Sequence, residues 1–189
     1  MSIDPMRPGG RLRRASWLIL PVVLGGLGHV AVLKTDFLST LAAPLDGGAT
    51  WRGRPLFGAN KTWRGVIVMT TLTAIAAGLQ GELARRRHWT TELAVRRSDR
   101  VSAWTAGAIC GVTYCVAELP NSFVKRRLGI SPGARAVKRG HLQYLVDQAD
   151  SVAGCLIPLR LLYRAKPDEL VTAFVLGLTI HIVVDAARA

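Results

Sequence analysis

Five apolar stretches separated by polar segments organise the sequence. They occupy residues 17–33, 66–80, 101–119, 148–163 and 170–187. None contains an internal cluster of charged residues, which is typical of transmembrane helices, although several are shorter than the roughly 20 residues that cross a hydrocarbon core. We therefore predict an all-α integral membrane bundle of about five transmembrane helices, whose shorter members are completed by interfacial residues or sheltered by neighbouring helices.

The ends of the chain and its length define the predicted domains. Residues 1–16 combine prolines, glycines and four arginines, which predicts a disordered basic arm. The first apolar stretch is not interpreted as a signal peptide, because no small-residue cleavage site follows it and further apolar stretches do. The 189 residues carry no internal repeat, so residues 17–189 are predicted to form a single transmembrane domain.

The composition supports a membrane protein and argues against a nucleic-acid partner. Half of the residues are hydrophobic, 6% are aromatic and 19 are glycine, a balance typical of packed membrane helices. The formal charge of +13 would suggest nucleic acid in a soluble protein. Here the Lys and Arg residues cluster between apolar stretches, so anionic headgroups or phosphates are the expected partners. The three cysteines match no zinc spacing and are predicted to be reduced core residues.

The first polar loop is unusually rich in glycine and basic residues. It runs through Pro44-Leu45-Asp46-Gly47-Gly48 and continues from Trp51 to Gly65. Glycines allow close backbone approach to a ligand, while Lys and Arg bind phosphate oxygens. A basic turn that binds lipid headgroups would have a similar composition, so the residues alone leave both interpretations open. The spacing excludes a P-loop, because the four-residue gap before Gly-Lys-Thr is missing.

The third polar loop carries the stronger candidate chemistry. Asp147 and Asp150 are three residues apart and would share a helix face, where two carboxylates repel unless a divalent cation or basic groups join them. Oxygen ligands of this kind suit Mg²⁺. An alternative is a carboxylate pair in salt bridges with Lys125 or Arg126, and the two interpretations are compatible. Ser122 and Lys125 also match a weak acyl-transfer pattern whose Lys-Thr-Gly partner is absent.

Two further features receive no catalytic role. The second loop, residues 81–100, is arginine-rich and is predicted to be an amphipathic connector that faces headgroups. His181 and Asp185 are four residues apart and could pair across one helix turn. We expect His181 to make a satisfied hydrogen bond within the membrane.

Four motifs, in order, resemble the CDP-archaeol synthase family, which is related to the CDP-diacylglycerol synthases. The resemblance extends from about residue 36 to residue 154 and rests on Pro44-Leu45-Asp46-Gly47-Gly48, Phe57-Gly58-Ala59-Asn60-Lys61-Thr62-Trp63-Arg64-Gly65, Glu118-Leu119-Pro120-Asn121-Ser122-Phe123-Val124-Lys125-Arg126 and Asp147-Gln148-Ala149-Asp150-Ser151. It implies a five-helix membrane enzyme with two polar active-site loops. Such an enzyme transfers CMP from CTP to a lipid phosphate, giving a CDP-activated lipid and pyrophosphate, with Mg²⁺ as cofactor.

The resemblance also implies roles for individual residues. The expected metal ligands are Asp147 and Asp150, joined by Asp46. The expected catalytic residues are these two carboxylates and the cations that neutralise the phosphates, Lys61, Arg64, Lys125 and Arg126. The expected substrate-binding residues are Asp46, the polar residues Asn60, Thr62, Asn121 and Ser122, and the glycines Gly58 and Gly65, which would allow close backbone approach.

The sequence leaves alternatives open for the lipid substrate, the orientation in the membrane and the functional class. The family implies 2,3-di-O-geranylgeranylglyceryl phosphate or a similar lipid, but phosphatidic acid presents the same phosphate, as in a CDP-diacylglycerol synthase. Because CTP is cytoplasmic, the motif loops of a multi-pass cell-membrane (inner-membrane) enzyme should face the cytoplasm, although Lys and Arg divide almost evenly between the two sides. A non-catalytic basic protein that binds anionic lipids is the alternative of another class. The oligomeric state and the role of residues 131–144 are not predicted.

Overall fold

Five long helices form most of the chain in the computed structural model, which describes residues 8–87, 101–132 and 140–187. Their bounds are α1 Pro8–Lys34, α2 Trp63–Arg86, α3 Ala103–Arg127, α4 Gly140–Leu162 and α5 Pro167–Ala186. The connection between α1 and α2 holds a short 3₁₀ helix, Ser39–Leu41, and a two-stranded antiparallel hairpin of β1, Thr50–Trp51, and β2, Arg54–Pro55. The predicted all-α membrane fold is confirmed.

The helices follow the apolar stretches of the sequence. Each predicted stretch lies within one helix to within two residues, and α1, α2 and α5 are long and apolar enough to cross a membrane by themselves. Their surfaces expose large aliphatic side chains, among them Leu24, Leu79 and Val175. Such surfaces are compatible with lipid rather than with water. Helices α3 and α4 are of similar length but carry charged side chains in the half that holds the candidate site.

Small residues bring α2, α3 and α4 into close contact. A Cβ atom at Gly107 of α3 would lie 2.6 Å from the carbonyl oxygen of Thr73 on α2, and one at Gly111 would lie 2.9 Å from that of Met69. On α4, a Cβ at Gly154 would lie 2.8 Å from the carbonyl oxygen of Thr113. Close backbone approach through small residues is the usual way in which membrane helices pack. It fixes α3 at the centre of the site described below.

The prediction that residues 1–16 form a disordered arm is wrong for the second half of this segment. Helix α1 begins at Pro8, so residues 8–16 are helical, and residues 1–7 lie outside the described part of the chain. Arg14 is buried, with its guanidinium Nε 2.8 Å from the Glu169 carboxylate and its Nη2 donating to the carbonyl of Tyr163 at 3.3 Å. Arg11 pairs with Asp168 at 2.9 Å. These contacts with the acidic first turn of α5 therefore stabilise the part of α1 that precedes its apolar residues.

The predicted third loop is mostly helical. Helix α3 continues to Arg127, and α4 begins at Gly140, so the candidate residues on both sides of this segment lie on helices. Basic residues in the last turn of α3 stabilise the negative end of its dipole, which extends the helix beyond the apolar stretch. Residues 133–139, and residues 88–100 of the arginine-rich second loop, lie outside the described residues. The three cysteines are free thiols, as predicted.

Candidate active site

Two carboxylates on α4 converge on a single amide nitrogen from α3. Asn121 Nδ2 donates to Asp147 Oδ1 at 2.7 Å and to Asp150 Oδ2 at 2.8 Å. The carboxylates are one helix turn apart and share a face, as the spacing predicts. The amide presents the positive end of its dipole where the two anions would otherwise repel each other. Oxygen atoms of two carboxylates, which are hard metal ligands, thus lie close to the same nitrogen atom.

An ammonium group completes this cluster. Lys125 Nζ lies 3.0 Å from Oδ1 and 2.9 Å from Oδ2 of Asp147, and Gln143 Nε2 donates to Oδ2 at 3.2 Å. Both partners of this ion pair are largely shielded, with 15% of the Lys125 side chain and 26% of the Asp147 side chain exposed. The salt bridge considered from the sequence is therefore formed by Asp147. It coexists with the convergence of the two carboxylates.

Glu118 joins the first loop to α3. Its carboxylate forms an ion pair with Lys61 Nζ, and both side chains are about one fifth exposed. The loop backbone holds Lys61 in place, because its N–H donates to the carbonyl of Gly58 at 3.1 Å and its own carbonyl accepts from the N–H of Leu45 at 2.7 Å. Glu118, Asn121 and Lys125 follow helical spacing along one face of α3. Glu118 lies in a motif that carries the family resemblance, but no role was predicted for it.

Arg126 is buried without a hydrogen-bond partner for its guanidinium. The residue is 3% exposed, and within the described residues none of its three side-chain nitrogens is bonded. It borders Gly58, whose φ of +97° favours glycine and where a Cβ would lie 3.5 Å from Arg126 Cδ and 2.9 Å from Pro132. Gly58 thus permits close approach, here of a cationic side chain. A buried cation without a partner is costly unless an anion binds it.

Asp46 organises the first loop. Its Oδ1 accepts from the N–H of Gly48 at 3.0 Å, and its Oδ2 accepts from those of Phe57 at 2.9 Å and Gly58 at 3.2 Å. Burial opposes ionisation of this carboxyl, but the backbone hydrogen bonds lower its pKa below the ordinary value. The described residues contain no cluster of three or more acidic, His or Cys side chains suited to a metal. Asp46 therefore does not join Asp147 and Asp150 in a common cluster, contrary to expectation.

Several predicted residues hold the loop and the start of α2. Arg64 Nη1 donates to the Asp36 carboxylate at 2.6 Å and to the carbonyl of Phe37 at 3.4 Å, so it is directed to the loop and not to the carboxylate pair. Thr62 is the N-cap of α2, accepting from the N–H of Gly65 at 3.2 Å. A Cβ at Gly65 would lie 3.5 Å from the ring of His29 on α1, an ordinary packing distance.

The remaining predicted residues differ in accessibility. Asn60 is exposed in the turn that precedes Lys61, whereas Ser122 is 4% exposed on α3. Lys125, the lysine of the weak Ser-x-x-Lys pattern, is bonded to Asp147. This pairing argues against activation of Ser122 as an acyl-transfer nucleophile.

An apolar cavity of about 230 Å³ lies between α1, α3, α4 and α5. Aliphatic side chains form most of its wall, and Glu118 lines it on α3, so the cavity lies against the Lys61–Glu118 pair. His181 also lines it, with Nε2 2.7 Å from Tyr114 Oη and Nδ1 2.5 Å from Gln148 Oε1. The expected hydrogen bond of His181 within the membrane is thus present and links three helices.

Comparison with known proteins decides the family. A family model described as CarS-like, CDP-archaeol synthase, matches residues 14–187. This chain belongs to the CDP-archaeol synthase family.

Individual relatives agree with this assignment. The chain is similar to the CDP-archaeol synthase of Thermofilum pendens, with 31% identity over 177 residues that cover 92% of this chain and 74% of the relative. It is 31% identical over 134 residues to the CDP-archaeol synthase of Thermococcus kodakarensis, covering 70% of this chain and 69% of the relative. A solved structure described as an intramembrane enzyme for archaeal membrane lipids biosynthesis has a similar fold, with a TM-score of 0.64 and 24% identity over 91% of this chain and 92% of that one.

Membership of the CDP-archaeol synthase family confirms the predicted enzyme class. The chain is a membrane-embedded cytidylyltransferase that uses CTP and a lipid phosphate. The motifs that carried the resemblance contain the residues that the helices bring together, Asn121, Lys125, Asp147 and Asp150. Of the predicted site residues, Arg64 and Thr62 are engaged elsewhere, in holding the loop and capping α2.

Proposed function

We propose that Asn121, Lys125, Asp147 and Asp150 form the catalytic centre of this CDP-archaeol synthase family member, and that the two aspartates hold Mg²⁺. The observation that carries the proposal is the convergence of both carboxylates on one point, 2.7 and 2.8 Å from the same nitrogen. Lys125 is bonded to one of these carboxylates, and Lys61 is paired with Glu118 on the same helix as Asn121 and Lys125. A protein that merely binds anionic headgroups needs the cations but has no use for paired carboxylates.

The donor set fits Mg²⁺. In nucleotide-dependent enzymes this ion is bound by one or two carboxylates together with substrate phosphates and water, so Asp147 and Asp150 suffice as protein ligands. When bound there, the ion supplies positive charge to the CTP phosphates and to the departing pyrophosphate. Lys125, already paired with Asp147, would remain beside the same phosphates.

The chemistry requires charge neutralisation more than proton transfer. An anionic oxygen of the lipid phosphate attacks the α-phosphorus of CTP, and the bond from that phosphorus to the oxygen bridging to the β-phosphate breaks. CMP is thereby transferred and pyrophosphate leaves with the bond electrons. The nucleophile is already deprotonated at neutral pH, so no general base is needed. Repulsion between two anions is the main obstacle, and Lys61, Lys125 and Arg126 would reduce it.

The reaction is tested by following transfer of radiolabelled CMP from CTP to detergent-dispersed lipid phosphates. We expect product with Mg²⁺ and none with excess EDTA, and activity should return when Mg²⁺ is restored. Comparing 2,3-di-O-geranylgeranylglyceryl phosphate with phosphatidic acid measures the lipid preference. Folded protein that forms no product from either lipid would contradict the proposed reaction.

The apolar cavity is proposed to receive the first part of a lipid chain. Its wall includes Glu118, the partner of Lys61, so a lipid whose chain enters the cavity would present its phosphate near the cations. Water-filled space bounded by aliphatic side chains is unfavourable, whereas a hydrocarbon chain would gain from burial there. The polar site and the cavity would thus bind the two parts of one substrate.

Filling the cavity should weaken lipid binding selectively. Gly26 lines the cavity on α1, and a Cβ there would meet nothing within 4 Å. We expect Gly26→Leu to raise the KM for the lipid phosphate about tenfold, equivalent to about 1.4 kcal/mol, without changing the KM for CTP. Leu24→Phe is the control, because Leu24 is 48% exposed on the same helix. Equal effects of the two substitutions, or a matching rise in the KM for CTP, would refute this use of the cavity.

We also propose that the site faces the cytoplasm, where CTP is found. The ion pairs place the first loop beside the end of α3, and Arg14–Glu169 lies at the opposite ends of α1 and α5. Labelling of Thr50→Cys by a membrane-impermeant maleimide should therefore require disrupted cells, whereas Lys166→Cys should react in intact cells. The reverse pattern would place the site on the other side.

A further inference from the structure

Two arginines exchange hydrogen bonds between the hairpin and the last turn of α3. The Arg127 guanidinium donates to three carbonyl oxygens of the hairpin, those of Trp51, Arg54 (at 3.0 Å) and Pro55. In return, Arg54 Nη1 donates to the carbonyl of Arg127 and, at 3.5 Å, to that of Arg126. Each arginine therefore binds the backbone beside the other, and we call this arrangement the arginine clasp.

Aromatic contacts support the clasp. Trp51 of the hairpin stacks on Phe123 of α3, with ring centroids 5.5 Å apart and planes inclined by 24°. The Arg127 guanidinium lies 4.9 Å from the centroid of Phe123 and 5.4 Å from that of Trp51. Cations over aromatic faces are attracted by the ring quadrupole. The hairpin is thus held against α3 by both polar and aromatic contacts.

Both arginines suit the groups that they bind. The last carbonyls of a helix have no partner within the helix and carry its negative dipole end, so Arg54 caps α3. Arg127 uses the planar fork of its guanidinium to reach several carbonyl oxygens at once, which the single ammonium of lysine cannot reproduce. The described contacts of both guanidinium groups are therefore with the chain itself.

The clasp joins the two segments that carry the site cations. Arg127 follows Lys125 and Arg126 directly, and Arg54 precedes the Phe57–Lys61 segment, whose Phe57 and Gly58 amides are bound by Asp46. Movement of the hairpin would therefore shift Lys61 relative to Lys125. A displacement of about 1 Å at a reacting centre can cost about a hundredfold in rate.

We propose that Arg54 and Arg127 are positioning residues, which set the first loop against α3 and contact no substrate phosphate. The proposal rests on the proposed roles of Lys61 and Lys125. It distinguishes these two arginines from Arg126, whose guanidinium has no bonded partner among the described residues.

Substitutions of the two arginines should distinguish the loss of positioning from the loss of charge. We expect Arg127→Ala and Arg127→Lys to lower kcat/KM for CTP by a similar factor, about 10- to 100-fold, because lysine keeps the charge but cannot hold the fork. Arg54→Ala should have a similar effect, and the double alanine variant should be no worse than the more severe single variant. Arg52→Ala, in the same hairpin and with the same loss of charge, should leave activity unchanged, since Arg52 is exposed and, among the described residues, makes no hydrogen bond to α3.

A second measurement does not depend on activity. Hydrogen–deuterium exchange of the full-length protein in nanodiscs should become faster at residues 56–61 in Arg127→Ala and Arg54→Ala, while exchange in α1, α2 and α5 stays slow. Recovery of activity by Arg127→Lys, additive losses in the double variant, or lost activity with unchanged exchange would each overturn the proposal. If wild-type protein transferred no CMP, the proposed function would fail, but exchange would still report on the clasp.

Discussion

Asp147→Asn and Asp150→Asn are each expected to lower turnover by about a thousandfold while the protein stays folded. Asparagine has nearly the same shape and keeps an oxygen that can accept the Asn121 hydrogen bond, so the helix contact survives. It loses the charge that is proposed to bind Mg²⁺ and, at Asp147, the charge that pairs with Lys125. The measurement is CMP transfer at saturating CTP over a range of Mg²⁺ concentrations, with helical content and melting temperature measured in parallel.

Asp168→Asn provides the matched control for these two variants. Asp168 pairs with Arg11 at the opposite end of the bundle, with about two fifths of each side chain exposed, and exposed pairs contribute little to stability. Its change should leave turnover within about twofold of wild type. Normal turnover in both site variants would show that these two carboxylates are not required for CMP transfer. Loss of activity together with unfolding would instead mean that these carboxylates serve the fold, through their contacts with Asn121 and, at Asp147, with Lys125.

The apolar pattern was sufficient to predict the helices, but not their ends. Lipid-facing and buried positions are both apolar in a membrane bundle, so five apolar stretches correspond to five helices. The ends depend on polar contacts that a hydropathy pattern does not contain. Helix α1 extends to Pro8 because Arg14 meets Glu169, and those two residues are far apart in sequence. Helix α3 extends through its basic last turn for the local reason of dipole stabilisation.

The parts of the site that depend on the spacing of nearby residues could be predicted from the sequence. Asp147 and Asp150 share a face because of helical spacing, and the structure brings them together as expected. The Lys61–Glu118 pair and the arginine clasp depend on how the first loop packs against α3. A single sequence contains no signal for such contacts, since each joins residues more than 50 positions apart.

Other roles could have been assigned from local signals. Asp46 precedes two glycines, and an aspartate in such a turn commonly binds the backbone N–H two residues later, as it does at Gly48. Thr62 precedes a helical stretch, which is the usual position of an N-cap. Both residues lie within the motifs that carried the family resemblance. Membership of a motif therefore did not distinguish residues that shape the loop from those that face the carboxylate pair.

Arg126→Met is expected to lower turnover by about a hundredfold and to leave the melting temperature unchanged or higher. The guanidinium is buried and has no bonded partner among the described residues, so in the absence of substrate no hydrogen bond offsets the cost of its desolvation. Methionine fills a similar volume without charge. Activity and thermal unfolding of the ligand-free protein should therefore change independently, as they do where a binding site is kept at the expense of stability.

Two further variants serve as controls for Arg126→Met. Arg126→Lys keeps the charge and should retain more turnover than Arg126→Met, whereas Arg86→Met removes a charge from an exposed side chain at the far end of α2 and should change neither property. Unchanged turnover in Arg126→Met would exclude Arg126 from phosphate binding. A lower melting temperature together with lost turnover would mean that Arg126 supports the fold. Only lost turnover without lost stability identifies a cation whose partner is the substrate.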